Sequence, residues 1–334
     1  MTMTNKNFSG MLSSFLLVHL PGSRGFSGNT VSSYRDTFVL FLQFMSDTQN
    51  KKPERISFAD FTATTVDAFL RWLKSERGCS ASTCNNRLAA IKSFFRYVQG
   101  EAPEWMDIAS DILAISAKKT AQTEISYLSV DAIRLLLETA STNGIRDLAL
   151  LSLLYDSGAR VREIADLVLG DLRLEKPATV KLTGKGRKTR IVPLTVQVVG
   201  ILSRYIKTLK LAAHGECLFK NWRGDPIGRA GIAYVLQKHA QSASVISPSI
   251  IPPKVTPHML RHSKAMHLLE NGVNLIYIRD LLGHSTIVTT EVYAKANPEM
   301  KRKAIEASSE KILKGSNYST NEKEDLLRWL RKTI

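Results

Sequence analysis

A mainly α-helical protein of two domains, with one small β-sheet in the second, is the fold class that this sequence predicts. Three observations carry it. Through the first third of the chain, apolar side chains recur at helical spacing. Residues 115–127, ISAKKTAQTEISY, then lose all periodicity and turn polar, as an interdomain linker does. At residues 179–194 the pattern changes to the alternation of strands, TVKLT and TRIVPL, on either side of a glycine-containing turn. A chain of 334 residues has the length for two ordinary domains, each burying its own core. The expected organisation is a helical domain over 1–114, a linker over 115–127, a second domain over 128–300 and a tail over 301–334.

Residues 11–20 read as an opening helix closed by Pro21 and Gly22. In NTVSSYRDTFVLFLQFM, residues 29–45, Val31, Tyr34, Phe38, Phe41, Leu42 and Met45 share a helical face, with Asn29 or Thr30 as cap. Val66, Phe69, Leu70 and Leu73 form the next stripe, which Gly78 stops. SASTCNNRLAAIKSFFRYVQG buries Leu88, Ile91, Phe94, Phe95 and Val98 and leaves Arg87, Lys92 and Arg96 off the stripe. Periodicity makes these aromatics core rather than base-stacking platforms. The off-stripe cations either line a phosphate backbone or are solvated.

In the second domain, Ser129 caps VDAIRLLLETA, and after Asn143-Gly144 the apolar run IRDLALLSLLYD leads up to Gly158. Arg160 stands just past that break with Glu163 three residues on, a carboxylate placed to hold the guanidinium. The hairpin tip Gly184-Lys185-Gly186-Arg187-Lys188 carries three cations. Taken alone it is a solubilising turn, and it lacks the spacing of a P-loop. Two further helices, VQVVGILSRYIKTLK and RAGIAYVLQKHAQSA, precede Pro248, Pro252 and Pro253, which deliver the chain in extended form to Thr256.

Lys and Arg number 46 against 30 acids, a formal charge of +16, which points to a polyanionic partner or else to a basic protein with solvated charge. The three cysteines, Cys79, Cys84 and Cys217, build neither a disulfide framework nor a paired zinc site, so a reducing cytoplasm is the expected compartment. Residues 15–18 are too short and too weakly flanked for a signal peptide, and no run approaches a membrane span.

The chemistry concentrates in residues 256–293. His258 and Arg261 stand three apart on one helical face, His284 follows the helix-ending Gly283, Ser285 is placed to start the next helix, and Tyr293 comes nine residues after His284. Imidazoles, a guanidinium and a phenol suit an anionic oxygen centre: Arg offers a donor fork, His donates or accepts, and a phenol attacks once its proton is drawn off. His258 and His262 have the spacing of a zinc pair without a third ligand, and His262 and His267 read as helix packing and capping. By itself Tyr293 is an ordinary half-buried core tyrosine. Only its company makes it a candidate nucleophile.

SGARVREI, TGKGRKTRIVPL, TPHMLRH and LLGHSTIVTTEVY, in this order, resemble the catalytic domain of the tyrosine recombinases, the phage integrase and Xer family, over roughly residues 128–296. NTVSSYRDTFVLFLQFM and NNRLAAIKSFFRYV resemble that family's helical, SAM-like core-binding domain. The resemblance implies an α+β catalytic domain in which Arg160 and Arg261 clamp the scissile phosphate, Lys185 protonates the departing 5′ oxygen, His258 assists proton transfer, His284 hydrogen-bonds the phosphate and Tyr293 attacks it. It further implies a 3′-phosphotyrosine intermediate formed without metal, ATP or other cofactor. The implied partners are double-stranded DNA recombination sites and further copies of the chain, a dimer on each site and a tetramer in the synapse, with no membrane. A catalytically silent DNA-binding protein and a type IB topoisomerase-like relaxing enzyme are the alternatives from other classes.

Little sequence precedes the opening helix, so a two-domain clamp without an added arm-binding domain is expected. At the other end, Ser319 and Glu322 form a capping box for EKEDLLRWLRKTI, whose Leu326, Leu327, Leu330 and Ile334 share a face too short to be stable undocked. That helix folds back on its own domain or, as the resemblance implies, docks on a neighbouring protomer.

Overall fold

The computed structural model describes residues 7–23, 25–120, 125–209, 215–284 and 286–296, together with Arg302 and Glu306. The predicted tail helix with its docking, and Ser285, lie outside the described residues, and Lys185 is described by its backbone. The chain divides into two compact units, residues 1–123 and 124–334. No described helix is long and apolar enough to cross a membrane.

Among the described residues unit 1 is all helical, with α1 (Phe8–Ser14), α2 (Gly28–Gln49), α3 (Ala63–Ser75), α4 (Ala81–Glu101) and α5 (Met106–Ala114). Side-chain caps start three of them, with Asn7, Thr62 and Ser80 accepting the backbone N–H of Gly10, Thr65 and Thr83. The opening helix does not close at Pro21. It continues as a π-helix, Phe15–Ser23, whose i→i+5 register brings Phe15 and Leu20 to one side, and both are fully buried. An α-helix would have turned one of them out.

The predicted stripes of α3 and α4 are buried as read, and Phe44 replaces Leu42 in the fully buried face of α2. Aromatic rings make up much of this core: Phe41 stacks on Phe61 at 4.3 Å, and Phe94 meets Phe38 edge-on at 5.2 Å. Such contacts add about 0.5–1.5 kcal/mol each beyond area burial. Two of the off-stripe cations serve the fold. Arg87 donates to Ser33 O at 2.8 Å and to Thr37 Oγ1 at 3.1 Å, and Lys92 donates to the carbonyls of Leu113 and Ile115, where α5 ends. Arg96 is exposed.

The described residues of unit 2 form α6 (Val130–Thr142), α7 (Ile145–Asp156), α8 (Val161–Ala165), a small antiparallel sheet of β1 (Leu172–Arg173), β2 (Thr179–Thr183) and β3 (Thr189–Pro193), then α9 (Val196–Thr208), α10 (Arg229–Ile246), α11 (Pro257–Glu270), α12 (Leu275–Leu282) and α13 (Val288–Ala296). The apolar run of α7 is explained by its place: residues 149–154 are all buried, and α6, α9 and α11 pack around it. In the hairpin, Leu182 pairs with Arg190 and Val180 with Val192, so Val180, Leu182 and Val192 point into the core. Asp156 at the end of α7 accepts from Thr195 N, Thr195 Oγ1 and Lys264 Nζ, at 2.9, 3.1 and 3.0 Å. It thereby pins the exit of the hairpin to α11, and these two elements carry Lys185, His258 and Arg261 of the predicted site residues. A smaller apolar cluster of Ala265, Met266, Leu269, Ile278, Leu282 and Tyr293 joins α11, α12 and α13.

Candidate active site

The site is assembled where α8, the hairpin, α11 and the end of α12 meet. Gly283 ends α12 with φ +64°, a left-handed conformation that glycine adopts without steric cost. A Cβ there would also lie 3.0 Å from the Arg190 side chain. This turn exposes the Leu282 and Gly283 carbonyls to two arginines. Arg261, on α11 and only 3% exposed, donates through Nη2 to Leu282 O at 2.6 Å and through Nη1 to Gly158 O at 2.8 Å. Arg160, just before α8, reaches Gly283 O at 3.4 Å. Each guanidinium has five N–H groups, so donors remain on both.

Glu163 holds the second layer together. Its carboxylate accepts the Arg160 backbone N–H at 2.7 Å, Arg160 Nη1 at 3.0 Å and both Nη atoms of Arg190 at 2.8 Å. Burial pushes the Glu163 carboxyl up, but Arg190 and the Arg160 N–H pull it down further, and the net is below the usual carboxylate range. Arg190 also donates through Nε to Leu281 O at 2.7 Å, so a single side chain ties β3 to α12 and to the Arg160 anchor. Burial, and then Arg160, draw Arg261 down to about 10, which leaves it cationic at neutral pH.

Tyr293 is 3% exposed, held in the smaller apolar cluster, and its hydroxyl lies 2.9 Å from His262 Nδ1. Burial raises its pKa against the lowering effect of Arg261 and Arg160. The His284 ring lies parallel to the tyrosine ring, 7° between planes, with centroids 6.4 Å apart, and its Nδ1 is 3.0 Å from the buried Thr290 Oγ1. Burial, followed by Arg261, Arg160 and Arg190, depresses His284 to about 4. His258 stands partly exposed on the first turn of α11, its ring 6.3 Å from that of His262, and partial desolvation, followed by Arg261 and Arg160, lowers its pKa.

Beside Arg160 and His284 lies an open cleft of about 580 Å³, lined also by Gly184, Lys188, Thr189, Arg190, Gly283 and Thr289. Lys185 stands in the short turn Lys185–Arg187 between Gly184 and Lys188, closed by the Gly184 N–H to Lys188 O bond at 2.8 Å. The chain thus brings Arg160, Arg261, His284 and Tyr293 around one corner, with the Lys185 backbone at the rim and His258 on the outer turn of α11. Three contributors escape the sequence reading. Arg190 was legible in principle, because alternation from Val192 puts it on the inner face of β3. Thr290 and His262 carry no such signal; His262 reads as packing but touches the tyrosine hydroxyl.

Two family models match the chain: the phage integrase family over residues 126–300, and the phage integrase N-terminal SAM-like domain over residues 14–101. The chain is 36% identical over 323 residues to the putative integrase/recombinase y4rC of Sinorhizobium fredii, covering 96% of each protein. It is 31% identical over 288 residues to the tyrosine recombinase XerC of a Roseiflexus species, covering 84% of this chain and 88% of that one. Among solved structures, the XerH site-specific recombinase bound to its palindromic difH substrate matches in fold, with a TM-score of 0.65, 21% identity, and coverage of 88% of this chain and 84% of that one.

Proposed function

The chain belongs to the phage integrase family, and we propose that Tyr293 is the nucleophile with which this tyrosine-type site-specific recombinase breaks and rejoins DNA strands through a 3′-phosphotyrosine. The observation that carries this is the corner at Leu282 and Gly283, where two anchored guanidiniums, a neutral imidazole and a buried tyrosine converge beside a cationic cleft. In the proposed step the Tyr293 oxygen attacks the scissile phosphorus, the bond from phosphorus to the 5′ oxygen breaks, and that oxygen leaves as a hydroxyl. Arg160 and Arg261 hold the non-bridging oxygens and stabilise the charge of the five-coordinate state, needing no reorganisation because Glu163 and backbone carbonyls already fix them. In the proposed tautomer the Thr290 hydroxyl, 3.0 Å away, donates to Nδ1, so that His284 carries its proton on Nε2 and offers it to the phosphate. Lys185, at the hairpin rim, protonates the leaving oxygen, and His258 assists proton transfer. A free hydroxyl from another strand reverses the attack, and the phosphotyrosine keeps the energy of the phosphodiester, so no ATP is consumed.

Double-stranded DNA is the proposed partner, consistent with the net charge of +16, and unit 1 is its proposed core-binding domain. Two protomers on each site and four in the synapse are the proposed assembly. Covalent capture of genomic DNA, followed by sequencing, identifies the site. On that DNA, wild-type protein in excess chelator gives a denaturation-resistant adduct, and Tyr293→Phe binds but gives none; an adduct from Tyr293→Phe refutes the assignment. Exchange between paired sites, rather than relaxation alone, separates a recombinase from a topoisomerase. Lys185→Ala slows cleavage by about 10²–10⁴-fold, as loss of a general acid does. A bridging 5′ sulfur restores the rate, because a thiolate leaves without a proton; equal slowing on both substrates assigns Lys185 to binding alone.

A further inference from the structure

Tyr293 cannot attack while it holds its proton, and burial makes that proton harder to remove. The group touching the hydroxyl is His262. Its Nδ1 lies 2.9 Å from the oxygen, within the reach required of a general base, with ring centroids 5.6 Å apart. His258 stands one turn away on the outer side of the same helix, stacked 6.3 Å from the His262 ring. Building on the phosphotyrosine reading above, we propose that His262 is a catalytic residue, the first acceptor of the Tyr293 proton.

The step balances without another reactant. The Tyr293 O–H bond breaks as the bond to phosphorus forms, and the proton passes to His262 Nδ1, giving an imidazolium. The bond from phosphorus to the 5′ oxygen breaks, and Lys185 supplies that oxygen with its proton. On rejoining, the imidazolium returns its proton to the departing tyrosine. A base must start neutral, and His262 does: partial burial, then His258 and Arg261, hold its pKa below the ordinary histidine value. The titratable and charged groups facing it are His258 and Arg261 on its own helix, with His284 from the α12 corner and Tyr293 on α13. A phosphate seated on Arg160 and Arg261 adds negative charge to this set, which favours the imidazolium at the moment it forms.

The test is the single-turnover rate of adduct formation by the full chain, using the captured site as a nicked duplex whose 5′ strand diffuses away after cleavage, across a pH series. Glutamine keeps an acceptor for the tyrosine hydroxyl but takes no proton, so His262→Gln separates hydrogen bonding from proton transfer. His262→Gln and His262→Ala are expected to lose about 10²–10⁴-fold in rate, with DNA affinity changed by less than about 3-fold. Added imidazole is expected to restore part of the His262→Ala rate, and the low-pH limb of the wild-type profile to disappear. Three results overturn the proposal: a rate that is unchanged or faster, the last meaning that His262 merely stows the tyrosine; full activity in His262→Gln; or a loss that imidazole does not touch and that tracks a lowered thermal transition. A wild-type protein that forms no adduct refutes the phosphotyrosine reading instead, and Tyr293→Phe run alongside keeps the two failures distinct.

Discussion

Unit 1 fills its interior with aromatic rings, and among the described residues Thr37 is the one polar side chain it buries, whereas unit 2 buries Asp147, Asp156, Glu163, His239, Arg261 and His267. Apolar burial is non-directional; it holds the helices of unit 1 together without dictating the position of any single atom. A buried charge is different, because it is tolerated only with partners in good geometry. Asp147 takes His239 and Arg146, Asp156 takes Thr195 and Lys264, and Glu163 takes Arg160 and Arg190. The desolvation of these groups lowers the stability of unit 2, and the Glu163 set in return fixes the donors around the α12 corner. A site that must meet a phosphate with preset guanidiniums has this requirement, and a scaffold for helix packing does not.

Removing one carboxylate is the strongest way to break this contrast. Glu163→Gln leaves Arg190, whose side chain is 13% exposed, without its counter-charge, and truncating a buried pair on one side costs about 3–5 kcal/mol. Adduct formation is expected to fall by at least about 10²-fold, because Arg160 loses its anchor and transition-state donors are worth that much each. Calorimetry and the adduct assay read the two effects together, and a lowered melting transition with full cleavage would show that the Glu163 network serves stability only.

The matching change in unit 1 is Phe94→Ala. It deletes a fully buried ring at the centre of the aromatic cluster and is expected to cost about 3–5 kcal/mol in the unit 1 transition. At saturating protein and below that transition, the cleavage rate should stay within about 3-fold of wild type. A larger loss would mean that the unit 1 core also sets the geometry of the chemistry.

Acid sharpens the comparison with a smaller effect. The folded pKa of His284 lies below its unfolded value, 6.5 against about 4, so between those values the unfolded chain binds more protons than the folded one. The stability this contributes is complete above about pH 6.5 and drains as the pH falls toward about 4; at about pH 5 the loss is on the order of 2 kcal/mol. Glu163 and Asp147, also depressed on folding, lose theirs at lower pH still, as the pH falls through their folded values. In unit 1 the depressed carboxylate among the described residues is Asp60. Scanning calorimetry from about pH 7.5 to about pH 5 should therefore move the unit 2 transition down and leave that of unit 1 nearly fixed. Parallel shifts would mean that histidine burial in unit 2 is not what sets its acid response.

The sequence alone determined the helical stripes of α3 and α4, the hairpin, the break at Gly158, the Gly-His corner and the order of the motifs, because each is written in short-range periodicity or in the backbone freedom of one residue. It also placed Arg160, Lys185, His258, Arg261, His284 and Tyr293 as candidates. Only the tertiary structure decided which of these groups meet. That Arg190 shares Glu163 with Arg160 depends on a contact 27 residues apart, and that Tyr293 rests on His262 depends on one 31 residues apart. Arg87 and Lys92, cations that their helix leaves off the apolar face, likewise turn out to bind carbonyls of the fold. Periodicity tells which face of a helix turns inward; which polar atom it meets there depends on how distant elements pack.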